Sequence, residues 1–303
     1  MAELSESQLS FSRYVQAEKR AAEARVREGA AYAYGPELRT RNRLGRVRPV
    51  VLALEMGLAE FQKTGRAHLL EGAVEVASGR FAEVGRQVAA AARTLGLDPP
   101  RVFISPTVGI REACVFGTAE EAMVVLPAAF VDHLSASELS ATVASALGRI
   151  HNQHTPLLTT LWVLDTSAPA ALRWVGKSAA VVLGAWAQGA DVTADRAALL
   201  VTRNLNATAS ALAKRLGGGR RLLSDIRAED ALAHVDSLQP HPAAGLDAVA
   251  WTLWRRRVKA MSLFMETAFY RGGGAPEAVQ GEAGATLTLS ACNDIVSDLL
   301  GAS

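Results

Sequence analysis

Ser135-Ala136-Ser137-Glu138 opens a helix directly behind three short apolar runs, and that order limits the fold more tightly than any other part of the chain. The Ser135 hydroxyl is placed to accept from the backbone three residues on. Glu138 reaches back to the amide of Ser135, so two otherwise unpaired helix donors are satisfied together. The helix is expected over 135–152. Ahead of it, residues 101–105, 113–117 and 122–126 are rich in Val, Phe and Ile and are divided by turn residues. They read as a small antiparallel sheet. A sheet followed by a capped helix, with more helices on either side, makes an α+β fold in which helices dominate.

Apolar periodicity places further helices at 4–30, 49–63 and 81–95. The last of these ends at Gly96, with Pro99 and Pro100 beyond it. Past residue 152, helices are expected at 170–187, 191–216, 220–234 and 243–270, and Gly272, Gly273 and Gly274 end the helical body. Half the chain is apolar while aromatics make up only 6%. Helices of that composition pack closely through small side chains. The expected organisation is an N-terminal helical arm and basic connector over 1–75, a body over 76–271, and a Gly- and Ala-rich tail over 272–303.

Charge and cysteine usage exclude several functions. The net charge is +2, so no broad basic surface calls for nucleic acid. Arg39, Arg41, Arg43, Arg46 and Arg48 crowd one stretch without interleaved aromatics, and read as a solvated connector, with a docking patch for an acidic partner as the alternative. Two distant cysteines, Cys114 and Cys292, give no disulfide framework and fit a reducing cytoplasm. The first twenty residues hold Glu3, Glu6, Glu18, Lys19 and Arg20 and lack an apolar signal core. The most hydrophobic stretch, 157–187, is broken by Asp165, Pro169, Arg173 and Lys177. It reads as buried helices, with membrane contact not favoured. Gly217-Gly218-Gly219 lacks a preceding strand and a Walker lysine, so it reads as a turn between helices. Arg255, Arg256, Arg257 and Lys259 read as a solvated helix face.

The segment from Arg101 to Thr155 also resembles the HtpX-type zinc metallopeptidases, the gluzincin group that includes the CAAX prenyl proteases. In that family a strand pair with an N-A-F-like turn precedes L-S-x-x-E-L, and a helix with A-H-E-x-G-H-x-x-N-x-H follows. Leu134, Ser135, Glu138, Leu139, Ala144, Gly148, Asn152 and His154 fall where that pattern wants them. Asp191-Val192-Thr193-Ala194-Asp195-Arg196 stands in for the family's E-x-x-A-D-R. Residues 207–217 resemble its A-L-x-K-L helix, and His241-Pro242 its later His-Pro. The resemblance covers roughly residues 80–250 and implies a gluzincin-like body.

Zinc sites of this type need two histidines four apart on one helix face, with a glutamate between them to polarise the bound water. Carried over by position, the histidines are Ser145 and Arg149, the catalytic glutamate is Ala146, and the third ligand is Asp191. A serine hydroxyl is a poor zinc donor, and a guanidinium keeps its charge. One unit charge against another at about 4 Å costs roughly 4 kcal/mol at an effective dielectric of 20, and a dication doubles that. The resemblance therefore implies a zinc site that has been dismantled: no catalytic residue, no metal, no cofactor. It also suggests that Arg149 fills the metal cavity and pairs with Asp191 or Asp195. Asp195, Arg196 and His154 are then structural. His151 and His154 read as helix-end histidines with ordinary hydrogen bonds, a relocated metal site being the alternative. Cys114, at the aromatic of the N-A-F-like turn, reads as a buried thiol.

The expected function is a catalytically inactive peptidase homologue that binds a peptide or protein. The candidate edge for strand addition is Ala113, Cys114, Val115, Phe116 and Gly117. A homo- or hetero-oligomer would suit a scaffolding subunit. The alternatives are an active hydrolase with non-standard metal ligands and a regulatory protein at a membrane surface.

Overall fold

The computed structural model describes residues 30–77, 79–106, 114–166, 170–217, 227–233, 246–274 and 287–301, with backbone alone for 170–178. The helix expected at 4–30, residue Ala113, the glycines at 218 and 219, most of the helix expected at 220–234, and His241-Pro242 lie outside these residues.

The principal helices are α1 (Gly35–Leu44), α2 (Arg48–Glu60), α3 (Ala82–Leu95), α4 (Ala136–His151), α5 (Thr155–Thr166), α6 (Ala170–Thr202), α7 (Leu205–Leu216), α8 (Ala248–Met265) and α9 (Leu289–Leu300). The strands are β1 (Val74–Glu75), β2 (Arg101–Ser105), β3 (Cys114–Gly117) and β4 (Ala122–Pro127). The chain is mainly helical with one small sheet, as expected. Helix α2 runs through a π-helical turn at Phe61–Gly65 into Arg66–Leu69.

The sheet corrects the expectation of purely antiparallel pairing. Its order is β1-β2-β4-β3, with β2 and β4 parallel and the two outer pairs antiparallel. β4 inserts between its predecessors because Val124, Val125 and Leu126 are fully buried. A strand that is apolar on both faces needs covering on both faces and neighbours on both edges.

Strand periodicity then divides the core in two. Val102, Ile104, Val115, Val124 and Leu126 join one cluster with α3, α4, α6, α7 and α8. Phe103, Phe116, Met123 and Val125 point the other way, into a second cluster with α2, α5 and the middle of α6. Much of 157–187 is spent on that second cluster, through Leu157, Val163, Ala179, Leu183 and Trp186.

Two sequence-based helix boundaries change. The helices expected at 170–187 and 191–216 are one 33-residue helix, α6, followed by α7. The break falls at Arg203, whose φ is +50°, and Asn204 caps α7 by accepting from the Ala207 amide at 3.0 Å. Gly189, between the two expected helices, is where α1 crosses: a Cβ there would stand 2.8 Å from Glu37 Cβ.

Residues 30–75, read from sequence as arm and connector, supply Tyr32 and Tyr34 to the first core and Leu44, Val50, Ala53, Phe61 and Leu69 to the second. The arginine stretch is correspondingly not all solvated. Arg41 is buried on α1 and donates to the carbonyl of Asn152.

Candidate functional site

Helix α4 begins as its sequence dictates. Ser135 Oγ accepts from the Glu138 amide at 3.3 Å, and Glu138 Oε2 accepts from the Ser135 amide at 2.7 Å. Glu138 has a second task. Lys214 Nζ donates to it at 2.8 Å and Ser210 Oγ at 2.5 Å, so the capping carboxylate also ties α4 to α7. Burial pushes the Glu138 carboxyl up, but Lys214, Ser210 and the Ser135 amide outweigh it and hold it below its usual range. Thus two separate pieces of the resemblance, L-S-x-x-E-L and A-L-x-K-L, meet in one buried ion pair.

Farther along, α4 lies against α6. The approach is close: a Cβ on Gly148 would fall 2.4 Å from Ala197 Cβ. That contact brings the C-terminal half of α4 beside the middle of α6, where Asp191 and Asp195 stand one turn apart. Arg149 donates to Asp191 Oδ1. Two arginines from other helices join it. Arg215 of α7 donates to the same oxygen at 3.2 Å. Arg257 of α8 donates through Nη1 to Asp191 Oδ2 at 2.7 Å, and through Nε and Nη2 to both oxygens of Asp195 at 2.8 and 2.7 Å.

One cluster therefore joins α4, α6, α7 and α8. Burial alone would raise the Asp191 carboxyl. Arg257, then Arg215 and Arg149, overcome this and hold it far below the ordinary range. The same carboxylates raise Arg257 despite its burial.

The expected pairing of Arg149 with Asp191 is present. A pocket of about 30 Å³ remains between α4, α6 and α7, lined by Thr142, Ser145, Asp195, Thr208, Leu212 and Arg215 among others. Arg215, one of its lining residues, also donates to Asp191. Arg257 had been read as part of a solvated face, yet it is 1% exposed and anchors both aspartates. Periodicity gave a faint signal: Trp251, Trp254, Val258 and Met261 are buried on α8, and Arg257 follows Trp254 by three residues on the same face.

His151 and His154 face different surroundings. His151 Nδ1 and Tyr32 Oη are 3.0 Å apart. His154 is fully buried, edge-on to Trp186, with Nε2 3.3 Å from Glu37 Oε1 but not aligned for a hydrogen bond. Burial pushes its pKa down against the pull of Glu37. Glu37 also accepts from Trp186 Nε1 at 2.7 Å and from Thr193 Oγ1 at 3.3 Å. His154 and Trp186 together with Arg41 keep its carboxyl lowered in spite of burial. Arg196 is buried apart from the aspartates, so the Asp195-Arg196 pair divides between two environments.

Among the described residues, no three His, Cys, Asp or Glu side chains are grouped as metal ligands. The donor set that the resemblance would offer zinc does not fit the ion. Ser145 offers a neutral hydroxyl, Ala146 offers nothing, and both oxygens of Asp191 already accept from guanidiniums.

The candidate peptide edge is an outer strand of the sheet, and part of it is covered. Thr159 of α5 accepts from the Gly117 amide at 3.0 Å and approaches its carbonyl at 3.2 Å. Val115 and Phe116 are buried and Cys114 is half-buried.

No protein-family profile matches the chain, and no solved structure matches it. One curated protein does: the plastoglobule-localized metallopeptidase 48, chloroplastic, of Arabidopsis thaliana. It is 24% identical over 220 residues, which are 68% of this chain. The match spans 62% of that protein's length. The chain thus has a distant likeness to one protein whose name describes a metallopeptidase.

Proposed function

We propose that this protein is a metallopeptidase homologue of the gluzincin type that has lost its metal and its cleavage chemistry, and that it works as a peptide- or protein-binding subunit. The observation that carries this reading is Asp191. A zinc ligand must give its lone pairs to the cation, and this carboxylate gives them to Arg149, Arg215 and Arg257. Asp195 is likewise taken, by Arg257. Ala146, at the position of the general base, has no group that accepts a proton. General base catalysis typically contributes about 10²- to 10⁴-fold. The β3 edge, Cys114–Gly117, is the candidate seat for an extended peptide, held by backbone hydrogen bonds.

The test measures zinc content and casein cleavage on the purified full chain, with binding of fluorescein-labelled unfolded casein alongside. The expected result is substoichiometric zinc, no chelator-sensitive cleavage, and saturable binding. Stoichiometric zinc that leaves with activity on chelation would end the reading. An absence of casein binding would remove the peptide-binding half of it.

A second reading, attachment to a lipid surface, has one observation in its favour. Val181 of α6 is 75% exposed with Val182 beside it. The matched relative is, by its name, localized to plastoglobules. No described helix is long and apolar enough to cross a membrane. Flotation with anionic liposomes decides this: retention that Val181→Asp abolishes supports it, and no flotation dismisses it.

A further inference from the structure

Arg196 is 1% exposed, and among the described residues no carboxylate reaches it. Its donors go to the carbonyls of Tyr32 at 3.3 Å and Ala33 at 3.4 Å and to Cys292 Sγ at 3.7 Å. Tyr34 and Phe264 cover the guanidinium, with ring centroids 5.4 and 5.0 Å away. Its Nε has no hydrogen-bond partner. A buried guanidinium left without a counter-anion is an expensive arrangement, and cation–π contacts offset only part of the cost.

The group nearest to becoming that anion is the Cys292 sulfur. It lies in the first turn of α9, where the unpaired amides of the helix start favour negative charge. In the resting protein, burial pushes the Cys292 thiol up, Arg196 pulls it back incompletely, and Glu266 adds a smaller upward push. Oxidation changes this, because sulfur oxyacids ionise far more readily than a thiol and carry oxygen acceptors.

We propose that Cys292 is a site of oxidative modification by hydroperoxides, with Arg196 as the built-in partner of the oxidised sulfur. In the step, the thiol gives up its proton and the sulfur attacks the terminal oxygen of the hydroperoxide. An S–O bond forms as the O–O bond breaks. The departing alkoxide takes the proton and leaves as alcohol, or as water when hydrogen peroxide is the oxidant. Sulfur loses two electrons and the peroxide gains them. The sulfenic acid ionises against Arg196, and a second equivalent gives the sulfinate. Access requires α9 to open locally; only Cys292 and Val296 are fully buried on it, with Leu289, Leu299 and Leu300 partly buried against the core.

The test treats the full chain with stoichiometric hydrogen peroxide and follows both cysteines by peptide mass spectrometry. Cys114 is the more exposed of the two, so exposure alone predicts that it reacts first. The expected result is oxygen addition at Cys292 at least as fast as at Cys114, with the modified protein melting higher than the reduced one. Because Arg196→Gln risks misfolding, the second arm compares Cys292→Asp with Cys292→Asn. The aspartate supplies the anion without an oxidant and should melt roughly 3 °C or more above the asparagine variant. Cys292 remaining reduced while Cys114 is consumed, or an aspartate variant no more stable than the asparagine one, would overturn the proposal.

Discussion

At the scale of single residues, the arginine–aspartate cluster is unequal in its parts. Arg257 serves two carboxylates with three hydrogen bonds, whereas Arg149 is one of three donors on Asp191. Arg257→Met leaves Asp195 buried without its cation and is expected to cost about 3–5 kcal/mol in urea unfolding. Arg149→Gln should cost less than half of that. Equal losses would show that the cluster does not divide as the hydrogen bonds suggest.

The same residues set a pH dependence. Asp191 has a folded-state pKa below its unfolded value near 3.9, so its stabilisation is complete above about pH 4 and lost in stronger acid. His154 is a base whose folded pKa is lowered, so the fold favours its neutral form. Its contribution is complete above its unfolded pKa near 6.5 and declines as pH falls below it. Thermal melts between pH 7 and 5 should therefore show a falling Tm, with a shallower fall in His154→Phe. An unchanged slope in that variant would remove His154 as the cause.

Sequence showed Asp191 and Arg149 as partners because both occupy ligand positions of one resemblance. It did not show Arg215 or Arg257, whose role depends on where α7 and α8 cross α6. A charge on a helix reads as solvated until a neighbouring helix covers it, and no local pattern reports that covering.

At the scale of elements, α4 was the most legible part of the chain because its start is written in local hydrogen bonds. Its capping box gave the N-terminus to the residue, and Gly96 with Pro99 and Pro100 gave the end of α3. The parallel β2–β4 pair was not legible, since strand order is a long-range choice that short apolar runs leave open. Nor was the continuity of α6 through Gly189, where a crossing helix rewards the missing side chain.

The α4–α6 contact is where element geometry is tightest. Gly148→Ala should overpack it and cost about 1–3 kcal/mol, with a lower Tm as the readout. Ser135→Ala removes only the capping hydroxyl and should cost about 1 kcal/mol, whereas Glu138→Gln also strips Lys214 of its counter-charge and should cost more.

At the scale of the molecule, residues 30–75 share both cores with the rest of the described chain. Deleting residues 1–44 would remove Tyr32, Tyr34, Glu37 and Arg41 from buried positions. The truncated protein is expected to be insoluble or to bind a hydrophobic dye strongly. A cooperative melt close to that of the full chain would show instead that the segment is dispensable. Composition had suggested close helix packing through small residues, and α4 against α6 meets that description. Composition could not say that an arginine-studded segment would lie inside.

The hydrogen bond between Tyr34 Oη and Ser297 Oγ, 2.7 Å long, spans 263 positions of sequence. Tyr34 also depends on Thr193, through its amide at 3.0 Å. Contacts so distant along the chain close late, because loop entropy must be overcome first. During synthesis, α1 emerges early yet finds its seat only after α6 has formed and α9 has left the ribosome. Until α6 and α9 are both made, α1 thus lacks the partners that hold Tyr34 and remains an unfinished surface.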